Sequence, residues 1–195
     1  VAVPAKPYLA PPYFPPAPTD ASVRVIPIRA YYQARPYTCG FASTLTVLHA
    51  YRRYVPAQQA YEKLGTDFTG TSQTAIVRAL RDAGIGASLR YDLSFDDMAR
   101  AIDAGKLIIS YHFPLEHWVV IYGYGRDPDR VFVADSLPHN RSEQPWSHYG
   151  EKLRGFGIVC NRRRRGAAEG QAPTLKPTEI IEEKTSAAKL RRGNS

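Results

Sequence analysis

Ala42, Leu45, Leu48 and Tyr51 recur at three-residue intervals, which predicts an amphipathic helix over residues 41–53. Residues 57–64 read as a second, shorter helix. Thr71 or Ser72 can cap a third over 73–83, with Ile76, Val77 and Leu80 on its apolar face and Gly84 closing it. Ser94 can cap a fourth over 95–103, closed by Gly105. The period then changes from helical to extended. Residues 107–113, 118–124, 131–134 and 155–160 are rich in β-branched and aromatic residues, and 126–128 is a turn that joins two of these runs into a hairpin. Residues 23–28 are also strand-like, but Pro27 confines them to a sheet edge. Helices followed by an antiparallel sheet predict an α+β domain over residues 23–160.

The ends differ from this middle. Seven of the 16 prolines fall in the first 18 residues. Proline removes backbone donors and fixes φ, so residues 1–22 read as an extended, polyproline-like arm or linker outside any sheet. Tyr8, Tyr13 and Phe14 within it are available for docking. Its place directly before the first predicted elements of the domain raises a propeptide-like block of the domain surface as one role. Residues 161–195 open with Asn161 and four arginines, 162–165, and carry nine basic against four acidic side chains, which predicts a basic, disordered tail.

That tail explains most of the net charge of +8 and the pI of 9.6. It carries +5, which leaves only +3 on residues 1–160. A nucleic-acid-binding fold would carry its charge on the domain, so no specific nucleic-acid partner is expected. The tail gives at most weak, salt-sensitive binding to an anionic surface. The longest apolar runs are about five residues, too short for a membrane-spanning helix. Two cysteines exclude a disulfide scaffold and a zinc site built from cysteine pairs. Residues 1–22 lack a signal-peptide pattern. Their proline-rich start, without Met, gives a slight lean to export, and compartment and oligomeric state stay open.

The chemistry lies in four residues. Cys39 directly precedes the first helix, where unpaired N–H groups and the helix dipole favour a thiolate. Gly40 allows close approach to the sulfur. Gln33, six residues upstream, offers a side-chain amide that, with the Cys39 backbone N–H, can meet a developing oxyanion. His117 opens the strand His117-Trp118-Val119-Val120-Ile121-Tyr122-Gly123-Tyr124 and supplies the base for a thiol nucleophile. Asp135 ends the run Val131-Phe132-Val133-Ala134, where a carboxylate can orient the imidazole.

With these residues in the order Gln, Cys, His, Asp, the sequence resembles the papain-like cysteine peptidases. It is most similar to the bacteriocin-processing, double-glycine group and its stand-alone relatives. The resemblance spans residues 31–136. Besides Gln33-x5-Cys39-Gly40, it rests on Gly70-Thr71-Ser72, Ala79-Leu80-Arg81-Asp82-Ala83-Gly84-Ile85, Ala104-Gly105-Lys106 and Val133-Ala134-Asp135-Ser136. It implies a papain-like fold and a cysteine peptidase acting on a peptide or protein through a thioester, without a cofactor. Cys39 would be the nucleophile, His117 the base, Asp135 the orienting acid and Gln33 the oxyanion donor. Two other readings stay open: an amidase acting on a non-protein or side-chain amide, and a catalytically idle peptide-binding module.

The remaining candidates have structural readings. His49 belongs to the first helix, and Cys160 ends an apolar strand as a core thiol. Trp118, Tyr122 and Tyr124 read as sheet packing, with Trp118 shielding the base. His139 and His148 with Glu143 make a poor metal set. Glu116, if extended, points to the face opposite His117.

Overall fold

The computed structural model describes residues 11–18, 20–138 and 142–162. The basic tail beyond residue 162, the first ten residues and His139 lie outside them.

The first helix, α1 (Cys39–Ala50), starts two residues before the apolar stripe suggests and is buried on all sides from Cys39 to Leu48. It carries no single wet face because it is the central helix. Two of its buried polar residues bond back to its own backbone. The Thr44 hydroxyl donates to the Gly40 carbonyl at 2.7 Å and that of Thr46 to the Ala42 carbonyl at 2.9 Å. Helix α2 (Ala57–Leu64) and helix α3 (Gln73–Asp82) pack beside it, and Ser72 caps α3 by accepting from the Ala75 N–H. Helix α4 (Phe95–Asp103) begins with a full capping box between Ser94 and Asp97.

Short strands β1 (Pro12–Tyr13) and β3 (Ala30–Tyr31) pair with each other, so part of the proline-rich arm does enter a sheet. Two residues suffice because Pro12 lies at a strand start, where its missing N–H costs nothing. Strand β2 (Val23–Val25) ends before Pro27 and pairs with the far half of β6 (His117–Gly125). The main sheet runs β4 (Ile85–Arg90), β9 (Gly157–Arg162), β5 (Leu107–His112), β6, β7 (Arg130–Asp135), β8 (Glu143–Pro145), and all its pairs are antiparallel. Strand β4 precedes α4, so the helices do not all come first. Helix α5 (Trp146–Leu153), which the sequence pattern does not reveal, leads into the last strand, β9.

The sheet is buried on both faces. Trp118, Val120 and Tyr122 of β6 pack with α1 and its neighbours, whereas Val119 and Ile121 pack with α4 and α5. A strand covered twice shows no apolar–polar alternation, and β6 is buried at every one of its nine residues. Cys160 lies in this core, fully buried, and burial raises its thiol to about 12. It is an inert core thiol. The architecture is α+β, with the start of α1 laid against the start of β6.

Candidate active site

Cys39 is the first residue of α1, where backbone N–H groups lack intrahelical partners. The loop ahead of it is braced by Thr38, whose hydroxyl donates to the Arg35 carbonyl and accepts from the Arg35 N–H, both at 3.0 Å. Gly40 is needed for the close approach of Thr71 and Trp118. A Cβ there would stand 2.7 Å from the Thr71 Cβ and 2.9 Å from Trp118 Cδ1. Trp118 in turn donates its indole N–H to the Thr71 carbonyl at 2.9 Å. The turn holding Thr71, the indole and the helix start therefore lock together around the thiol.

Sheet register brings the other groups to the same place. Val119 of β6 lies opposite Asp135 of β7, so His117 is a same-face diagonal neighbour of the carboxylate. His117 Nε2 and Asp135 Oδ1 are 2.6 Å apart, and both residues are buried. Oδ1 also accepts from the Leu137 N–H at 2.9 Å, which fixes the carboxylate to its own turn. With Nε2 committed to Asp135, the other ring nitrogen serves the Cys39 thiol, to which the imidazole is hydrogen-bonded.

The electrostatics follow from these contacts. Burial opposes charge on both partners. At His117 it is outweighed by hydrogen bonds to Asp135 and Cys39 and by the charges on both, which raise the imidazole to about 9. At Cys39, burial is outweighed by the hydrogen bond to His117, by the Trp118 backbone N–H, by the His117 charge and by the Gly40 N–H. The thiol therefore ionises below its ordinary range. Thiolate and imidazolium stabilise each other and titrate as a pair.

Gln33 stands beside this pair and is firmly held. Its side-chain oxygen accepts from the Ser136 hydroxyl at 2.8 Å, and its backbone N–H donates to the Ser136 carbonyl at 3.0 Å. The side-chain nitrogen donates to the Arg35 and Pro36 carbonyls at 3.0 and 3.1 Å. Two carbonyls on one side fix which end of the amide is nitrogen. Gln33 and His117 border one surface depression, so the structure gathers all four candidate residues at one locus.

Several contributors had no legible signal. Ser136 follows Asp135 in the chain, but its bond to Gln33 spans 103 positions. His112 lies directly opposite His117, because a 3-10 turn over Phe113–Leu115 folds β5 back onto β6. The two histidines therefore share a face, and the five-residue spacing on its own gives no sign of that. Glu116 is in the left-handed region (φ 49°, ψ 46°), not extended, and it borders the cleft. Among the described residues no cluster of three metal-binding side chains occurs.

Cys39 opens onto a cleft of about 640 Å³, walled by Phe68, Tyr91, Tyr111, Phe113 and Phe156 on one side of the thiol. The fold that carries this site is shared with solved peptidases. One is a double-glycine motif protease from an AMS/PCAT transporter, solved with its leader peptide (TM-score 0.60, 19% identity, 72% of this chain and 95% of that one). Another is the peptidase domain of Streptococcus ComA (0.55, 18%, 72% and 98%). A third is a C39-like peptidase from Bacillus anthracis (0.54, 14%, 66% and 90%). At these identities the likeness shows the fold. No curated protein sequence matches the chain. The model of the peptidase C39-like family matches residues 25–155, well over half of the sequence. The chain therefore belongs to the peptidase C39-like family and is a cysteine peptidase.

Proposed function

We propose that the chain hydrolyses peptide bonds through a thioester on Cys39, with His117 as acid and base, Asp135 as the group that orients it, and Gln33 as an oxyanion donor. The observation that carries this reading is the single imidazole bonded to both the Cys39 thiol and the Asp135 carboxylate. The Cys39 thiolate attacks the scissile carbonyl carbon, and the carbonyl oxygen takes the electron pair as an oxyanion. The backbone N–H of Cys39 faces that oxygen. Gln33 reaches it by exchanging one of its two carbonyl partners for the oxyanion, the stronger acceptor because it is charged. The oxyanion collapses as His117 protonates the departing amine, leaving the acyl group on sulfur. Water then attacks the thioester, giving its proton to neutral His117, and the acid leaves with the thiolate restored.

The aromatic cleft beside Cys39 supports an extended peptide as substrate, as does the leader peptide bound to the structurally similar double-glycine protease. Cleavage profiling on a diverse peptide library tests this reading. The wild-type protein should cut a defined set of sequences that Cys39→Ala leaves intact, and a short incubation should trap an acyl adduct on Cys39. Cleavage that persists in Cys39→Ala refutes it.

A further inference from the structure

Of the described residues that line the cleft beside Cys39, Glu116 alone carries a charged side chain. Its position is set by the chain reversal between β5 and β6. The Glu116 N–H closes the 3-10 turn on the Phe113 carbonyl, and the left-handed backbone turns the residue out of the strand that begins at His117. Glu116 thereby borders both the aromatic cleft and the depression shared by Gln33 and His117, so it straddles the position of the scissile bond. It is exposed, and no salt bridge among the described residues includes it. Tyr111 senses this carboxylate within the cleft: after burial, Glu116 is the next cause raising its hydroxyl.

A thiolate facing an imidazolium adds no net charge to the cleft. The remaining lining of the aromatic cleft is uncharged, and Arg35 borders only the depression on the Gln33 side. Within the aromatic cleft the local field is therefore set by one carboxylate, one residue from the base. We infer that Glu116 is a specificity-determining residue that selects a substrate with a cationic side chain, lysine or arginine, within two residues of the cleaved bond. This inference rests on the proposed peptide hydrolysis at Cys39. An exposed ion pair is worth roughly a fivefold preference at most, and salt weakens it further. The site prefers cations by that order and does not demand them.

The test uses the full chain and two readouts. In the first, peptides carry lysine, norleucine or glutamate at each position from four before to four after the cleaved bond. At one position near the cut, lysine should exceed glutamate in kcat/KM by about fivefold. Glu116→Gln should level that ratio, Glu116→Lys should reverse it, and added salt should shrink it only in the wild type. In the second, Cys39 is modified by a cationic and an anionic methanethiosulfonate, which needs no peptide turnover. The cationic-to-anionic rate ratio should fall in Glu116→Gln. Ratios unchanged by Glu116→Gln in both readouts overturn the inference. A protein that cuts no peptide yet shows the altered thiol ratio overturns peptide hydrolysis and upholds the cation-selecting role of Glu116.

Discussion

The hydroxyl of Tyr13 donates a hydrogen bond to the backbone carbonyl of Asp135, 122 positions away in the chain. The Tyr13 ring stacks on Tyr32 with centroids 4.2 Å apart, and Tyr122 donates to the Pro16 carbonyl at 2.9 Å. The described part of the proline-rich arm is thus seated behind the carboxylate and does not line the aromatic cleft. Deleting residues 1–19 should lower kcat/KM, whereas a propeptide-like block predicts a rise. Tyr13→Phe keeps the stacking and removes one partly buried hydrogen bond, so it should cost about 1 kcal/mol in urea unfolding. Unchanged stability in that variant would show that the bond is replaced by water.

The pH dependence follows from the signs at the pair. His117 is raised to about 9, so its proton, and with it the thiolate–imidazolium pair, is present below that value and lost as pH rises through it, leaving a thiolate beside a neutral imidazole. Cys39 is lowered, so the thiolate is lost only as pH falls through a value beneath the ordinary thiol range. The kcat/KM profile should be bell-shaped with its alkaline limb near 9. Asp135→Asn removes one of the two charges that raise His117, which should move that limb to lower pH and reduce the maximum. An alkaline limb unmoved by Asp135→Asn would show that the carboxylate does not act on the imidazole.

Stability follows the same bookkeeping in part. A histidine raised on folding stabilises the native state fully below its ordinary value of about 6.5, and that contribution is lost as pH rises through about 9. Urea unfolding of the wild type and His117→Gln at pH 6 and pH 10 should show a difference at the lower pH that narrows at the higher one.

Gly40→Ala places a methyl 2.7 Å from the Thr71 Cβ, closer than carbon atoms pack. The helix start or the Thr71 turn must shift, at a cost of about 1–3 kcal/mol. Because Cys39 precedes the glycine, alkylation of the thiol at neutral pH should slow as its contacts to the Trp118 N–H and His117 lengthen. Wild-type stability and alkylation rate in this variant would mean that the turn yields freely.

Gln33→Ala should lower kcat about 10²–10³-fold with little change in KM, the cost of losing one oxyanion donor. Ser136→Ala frees the amide oxygen yet leaves the donor nitrogen in place, so its loss should be much smaller. Equal losses in the two variants would make Gln33 a brace for the loop before Cys39.

The local elements were legible because their signals are local. Ser72 and Ser94 cap their helices through bonds only three residues long, and α2 ends where the apolar pattern stops. The α+β class follows from the change of period near residue 105. The order Gln33, Cys39, His117, Asp135 was legible as chemistry, since each stands at an element boundary where side chains can converge. It also carried the family resemblance that the matched model bears out.

Tertiary structure decided the rest, because the determining contacts span the chain. Burial of α1 on every side depends on a sheet and two helices closing around it, so its own apolar stripe understates it. The short, mostly polar β8 and α5 gain their form from neighbours: β8 pairs with β7, and α5 buries Tyr149 and Leu153 against the sheet. The hold of Ser136 on Gln33, the seat of Tyr13 behind Asp135 and the closure of Thr71 on Gly40 join residues 31 to 122 positions apart. A periodicity reports which side of its own element a residue occupies. Which element then covers that side is fixed only by register and packing, and here a left-handed turn, in place of the extended backbone the pattern suggests, puts Glu116 at the border of the cleft.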